Sequence, residues 1–115
     1  MTAHVHFPPG VVCRVSGPWR GAWIPAAGRI ELAPYLCGAI EAVVDGHFNR
    51  EQYALAGQGV VVLGHEQAHK QGIMDDTAAN CYGLKEFART ARALGMAWRV
   101  IVPLEALTGK GMTCP

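Results

Sequence analysis

The sequence predicts an α+β domain in which a small antiparallel or mixed β-sheet at the N-terminal side packs on a long helix and on the helix that follows it. Three observations carry this. Short β-branched or alternating runs, punctuated by Pro and Gly, fill the chain before Pro34. Apolar residues recur at helical spacing from Pro34 onward, between recognisable start and stop residues. In the middle of the chain His65 and His69 stand four residues apart, one turn along the same face of a helix, so that two imidazoles address one point.

A chain of 115 residues, half of them hydrophobic and 17% charged, suits one globular domain spanning residues 1–115. A net charge of +1 with no stripe of Lys and Arg gives no electrostatic footprint for nucleic acid. No apolar run approaches the roughly 20 residues of a membrane helix, and Met1–Gly10 has neither a basic nor an apolar signal region. The expectation is a soluble, cytoplasmic protein, with release by another route left open. Cys13, Cys37, Cys81 and Cys114 have no Cys-x-x-Cys spacing, which argues against a separate cysteine metal site. Buried thiols and disulfides remain equal alternatives for them, a bridge from Cys114 to the body included.

Taken in order, His4-Val5-His6-Phe7 alternates and reads as a first strand, ended by Pro8-Pro9-Gly10. His4 and His6 would share a face of it, most simply as exposed residues. Val11–Val15 reads as a second strand. Gly21–Ile24 and Arg29–Leu32 flank Pro25-Ala26-Ala27-Gly28, a four-residue hairpin loop. Pro34 opens a helix whose stripe of Leu36, Ile40, Val43 and Val44 runs to Asp45-Gly46. Asn49, with Gln52 three residues on, is a capping box for the next helix, which runs through Val60–Leu63 into the histidine pair and stops at Gly72. Gly57, Gly59 and Gly64 each cost it about 1 kcal/mol relative to Ala. Close approach of a neighbour would offset this, and a break at Gly57–Gly59 is the alternative. A third helix starts at Asp75-Asp76-Thr77 and continues to Gly95, with Ala79, Gly83, Leu84, Phe87, Ala91 and Leu94 inside. Trp98–Val102 then reads as a strand, Pro103–Leu107 as a short helix and Thr108–Pro115 as a tail.

The chemistry lies in His65-Glu66-Gln67-Ala68-His69, the His-Glu-x-x-His pattern. Two imidazoles bind a metal, and Glu66, one step round the helix, can hold a water beside the ion without displacing it. The run from His65 to Gly83 resembles small bacterial zincin-like metallopeptidases of gluzincin type, in which His-Glu-x-x-His-x-x-Gly is followed by an acidic pair and then by Ala, an acidic or amide residue, Cys and an aromatic. Arg29–Cys37 is similar to the strand and helix start that precede the motif in such proteins. The resemblance covers roughly residues 29 to 95. It implies a zinc-dependent peptide hydrolase with Glu66 as general base and a zinc ion held by two histidines and one carboxylate. Lys70 and Gln71 depart from the pattern, and Asn80 stands where relatives often carry a carboxylate.

Asp75 and Asp76 compete as the third ligand. The spacing His-x-x-Gly-x-x-Asp chooses Asp75. At 100° per residue, however, Asp76 shares the inner face with Asn80, Gly83 and Phe87, while Asp75 falls with Tyr82, Glu86 and Arg89. The Asp76–Asn80 run also resembles the ligand helix of gluzincins. Asp76 is therefore the expected ligand, Asn80 the residue that orients a histidine, and Asp75 a helix cap. Tyr82, Tyr53 and His47 are candidates for stabilising an oxyanion, and a substrate strand is expected along Arg29–Leu32. Two further readings stand beside the hydrolase, a zinc-binding regulatory or interaction module that cleaves nothing and a helical core with a fortuitous motif. Glu66 separates the first two, because a closed structural site has no use for a base.

Overall fold

Arg29–Leu32 forms the middle strand, β3, of a three-stranded mixed sheet in the computed structural model, which describes residues 5–114. On one side it pairs antiparallel with β2 (Gly21–Ile24), placing Trp23 opposite Ile30. On the other it pairs in parallel with β1, which is only Val11–Val12. The β2–β3 connection is a 3-10 turn at Pro25–Ala27, where Pro25 supplies its fixed φ and Gly28 takes φ 63°. Val5–Phe7 is not a strand, and β1 is shorter than the β-branched run Val11–Val15 suggests. The first strand's face at His4 lies outside the described residues.

Five helices follow: α1 (Pro34–Asp45), α2 (Arg50–Lys70), α3 (Asp76–Lys85), α4 (Phe87–Leu94) and α5 (Trp98–Thr108). In α2, Asn49 accepts the Gln52 N–H at 2.8 Å while the Gln52 side chain accepts the Asn49 N–H at 2.8 Å, a reciprocal cap. The helix passes unbroken through its glycines, and neighbours explain them. A methyl on Gly59 would meet Ile40 of α1 at 2.9 Å, and one on Gly64 would meet the Gly83 Cα of α3 at 2.6 Å. Helix propensity is lost so that backbones can touch, and α2 becomes the axis on which α1, α3, α4, α5 and two strands pack. Leu63, Leu36, Ile40, Phe87, Leu94 and Leu104 are wholly buried in one cluster, each such side chain contributing about 1.5–3 kcal/mol.

Two readings of the C-terminal part are corrected. The third helix is interrupted at Glu86 (φ −92°, ψ 10°), which lets α3 cross α2 at Gly83 while α4 turns Phe87 and Leu94 into the core. Trp98–Val102 is not a strand but the start of α5, which continues through Pro103. Ile101 and Leu104 are its buried residues, three apart, whereas Val102 and Pro103 are exposed. The bond that Pro103 cannot make leaves the Arg99 carbonyl on a face open to water, which lowers the cost of an interior proline.

The four cysteines form two disulfides, Cys13–Cys37 and Cys81–Cys114, and none is free among the described residues. The first ties the segment before β2 to α1. The second fastens the segment after α5 to α3. Glu31, on the central strand and fully buried, binds the same pre-β2 segment. Its carboxylate accepts the Ser16 N–H and hydroxyl, each at 2.9 Å, the Trp19 indole N–H at 3.4 Å, and two N–H groups of Arg29 at 3.0 and 3.2 Å. The Ser16 backbone N–H leads these contacts in holding the Glu31 pKa down to about 2, against the opposing effect of burial. No helix among the described residues is long and apolar enough to cross a membrane.

Candidate metal centre

The last turns of α2 carry His65, Glu66 and His69, whose donor atoms lie within 4.8 Å of one another. After Lys70 the chain reverses through Gly72 at φ 98°, and α3 starts at Asp76 beside the histidine face. The Asp76 Oδ1 stands 3.3 Å from the His65 Nε2 and 3.2 Å from the His69 Nε2. Asp75 is turned away and caps α3, accepting the Ala78 N–H at 2.8 Å. One residue of the acidic pair thus faces the histidines and its neighbour starts the helix. The crossing at Gly64 and Gly83 sets their spacing, because any Cβ at either position would push the two backbones apart.

Each imidazole is oriented from behind. The His69 Nδ1 donates to the Ile73 carbonyl oxygen at 2.7 Å, and the His65 Nδ1 donates to the Asn80 Oδ1 at 2.6 Å. These oxygens only accept, so both rings carry hydrogen on Nδ1 when neutral and direct their Nε2 lone pairs at the carboxylate. Three acceptor atoms then converge on one point, where a single cation would satisfy all of them. A tetrahedral zinc ion with bonds of about 2.0–2.1 Å needs donors about 3.3–3.4 Å apart. The two His–Asp distances match that edge, and the donor set of two imidazoles and a carboxylate suits the ion. Glu66 is set further back, its Oε2 being 4.0 Å from the His65 Nε2. It is buried, and burial raises its pKa, an effect opposed by His65, His69 and the Trp23 backbone N–H.

The centre opens into two adjoining cavities. One, of about 310 Å³, is lined by Arg20, Gly21, Val62 and Asn80 together with His65, Glu66 and Asp76. The other, of about 490 Å³, is walled by Trp19, Trp23, Pro25 and Met74. Gly21 is what lets β2 lie against α2 here, since a methyl there would stand 2.5 Å from Val62 and 3.5 Å from Glu66. Along β2 the Arg20 carbonyl accepts the Ala33 N–H, so by the antiparallel alternation Gly21 and Trp23 direct their backbone groups away from β3. The strand edge beside the centre therefore belongs to β2. Arg29–Leu32, the edge expected from the sequence, is paired on both sides.

None of the candidate oxyanion donors lines either cavity. The Tyr53 hydroxyl donates to the Val100 carbonyl oxygen near the opposite end of α2, the Tyr82 hydroxyl accepts from the Gln71 amide, and His47 is exposed after α1. His6 is likewise exposed and away from both. Arg20 and Trp19, which sequence patterning did not single out, do line them. Their one local signal is position, directly before the strand that borders the centre. Comparison of the chain with family models, curated proteins and solved structures finds no match.

Proposed function

We propose that the protein is a metal-dependent hydrolase of zincin type. More specifically, it is a zinc peptidase whose ion is held by His65, His69 and Asp76. The observation that carries this reading is the Asp76 Oδ1 at 3.2–3.3 Å from both histidine Nε2 atoms, with a buried carboxylate set just behind them. Zinc bound there would supply a Lewis acid that acidifies a water and polarises a carbonyl group. Glu66 is the base that takes the water's proton and returns it to the departing amine. Burial raises the affinity of Glu66 for that proton, while His65, His69 and the Trp23 backbone N–H oppose it. Asn80 and Ile73 keep the two rings in the tautomer that leaves Nε2 free. A peptide would lie extended along the outer edge of β2, pairing with the backbone groups of Gly21 and with the Trp23 carbonyl oxygen, the Trp23 N–H being turned to Glu66.

Glu66 also separates this reading from a zinc-binding module without activity. Glu66→Gln should keep about one zinc per chain, measured by elemental analysis, while turnover of a mixed peptide library falls by about a hundredfold or more. Absence of zinc uptake by the wild type would refute the centre itself. A Glu66→Gln variant as active as the wild type would remove the base from the mechanism. The two disulfides favour an oxidising compartment over the cytoplasm expected from sequence.

A further inference from the structure

The cavity on the Asn80 side has one cationic side chain in its wall, Arg20, among the described residues. Among the described residues its side chain has one polar partner, the neutral Gln58 Oε1 at 3.3 Å, and forms no ion pair. The segment that carries it is fixed at several points. Ser16 and Trp19 are bound to buried Glu31, Cys13 is bridged to Cys37, and the Arg20 carbonyl accepts the Ala33 N–H at 2.8 Å. A guanidinium so placed presents a fork of donors that matches a carboxylate. The cavity of about 310 Å³ is at the small end of ligand clefts, which run from about 300 to 1,000 Å³, and suits a short end of a chain better than a long segment. Across the centre, the Trp19, Trp23, Pro25 and Met74 walls suit an apolar side chain.

We infer that Arg20 determines specificity by pairing with a substrate carboxylate on one side of the reacting bond, while the tryptophan-lined cavity takes an apolar residue on the other. This rests on the proposed peptidase reading and deepens it. The carboxylate has two sources, the free end of the peptide or an Asp or Glu side chain. Charge at the centre is compatible with either, because the two charges of a zinc ion are matched by Glu66 and Asp76 and Arg20 then leaves the cavity positive.

The test uses short peptides with one aromatic residue before the reacting bond and one of three endings after it: a free acid, its amide, or an amide carrying an Asp side chain. The wild type should favour at least one carboxylate form over the neutral amide by about tenfold or more in kcat/KM, expressed mainly in KM. A preference for the free acid assigns the chain end, and a preference for Asp assigns an internal acidic residue. In Arg20→Gln the ratio should collapse towards one, and Arg20→Lys should restore part of it. Equal proportional loss for the charged and neutral peptides in Arg20→Gln would overturn the inference in favour of an oxyanion or purely structural role, as would a wild type without preference. Calorimetric binding of a free-acid dipeptide, its amide and an amide carrying an Asp side chain to zinc-loaded Glu66→Gln protein, with and without Arg20→Gln, gives a readout independent of turnover. If no peptide is cleaved the hydrolase reading fails, yet a carboxylate preference that vanishes with Arg20 still supports the pairing, and equal binding of all three dipeptides refutes it.

Discussion

Gly83→Ala tests whether the crossing of α2 and α3 sets the donor distances. The added methyl would stand 2.7 Å from the Val61 carbonyl oxygen and 3.2 Å from the His65 nitrogen, both backbone atoms that cannot rotate away. Ordinary contact begins at 3.4 Å, so the helices must part by about 0.7 Å there. Asp76 lies on the same rigid helix about 10 Å along its axis, and a metal site tolerates displacements of only about 0.2 Å. Overpacking costs about 1–3 kcal/mol, and alanine's better helix propensity returns about 1 kcal/mol. The expected outcome is a melting temperature lower by several degrees and zinc affinity reduced by about tenfold or more, read by competition with a chromogenic chelator. Gly38→Ala is the contrasting variant, because nothing lies within 4 Å of an added Cβ there and α1 should gain up to about 1 kcal/mol. If Gly83→Ala bound zinc normally and gained stability as Gly38→Ala does, the crossing could not be what positions Asp76.

Asp76→Ala should weaken zinc binding by about a hundredfold or more, whereas Asp75→Ala should remove about 1 kcal/mol of helix capping and change affinity by less than tenfold. The reverse order in a zinc titration would transfer the ligand role to Asp75. Asn80→Ala should cost about 10- to 100-fold in zinc affinity by releasing the His65 ring, and an unchanged affinity would remove it from the support of the centre. Glu31 is held at about 2 in the folded chain against 4.5 for a free carboxylate, so the unfolded chain takes up its proton first as pH falls. The stability it supplies is complete above pH 4.5 and is lost between 4.5 and 2. Urea midpoints for Glu31→Gln should fall less steeply across that window than those of the wild type, and parallel curves would contradict the assignment.

Local chemistry made much of this fold readable. The Asn49–Gln52 cap, Pro34 at a first turn, Gly46 and Gly72 at helix ends, and the Pro25–Gly28 turn are each decided by a few neighbouring residues. Helical spacing put Asp76 and Asn80 on one face of α3, a choice that the resemblance to a ligand helix shared, and both contact the histidines. What was not readable depends on distant partners. Val100, Ile101 and Val102 have strand-like side chains, and only their position beside α2 and α4 makes them helical. The interruption at Glu86 has no glycine or proline to mark it. Arg20 and Trp19 reach the centre because a buried carboxylate and a disulfide hold an irregular segment in place, and neither leaves a periodic trace in the sequence.

In the proposed centre the three donors differ in how firmly the fold holds them. His65 and His69 belong to the central helix, and their side chains are each 16% exposed, whereas Asp76 sits in the first turn of a ten-residue helix with its side chain 82% exposed. Helix ends open far more often than interiors. Departure of the ion would therefore begin with the first turn of α3 lifting, at a rate set by local opening and independent of global unfolding. Asp75, which does not face the histidines, then becomes the residue that governs residence time: its cap decides how often that turn opens. An ion could be exchanged while the core stays closed, with both histidines waiting in position for the next one.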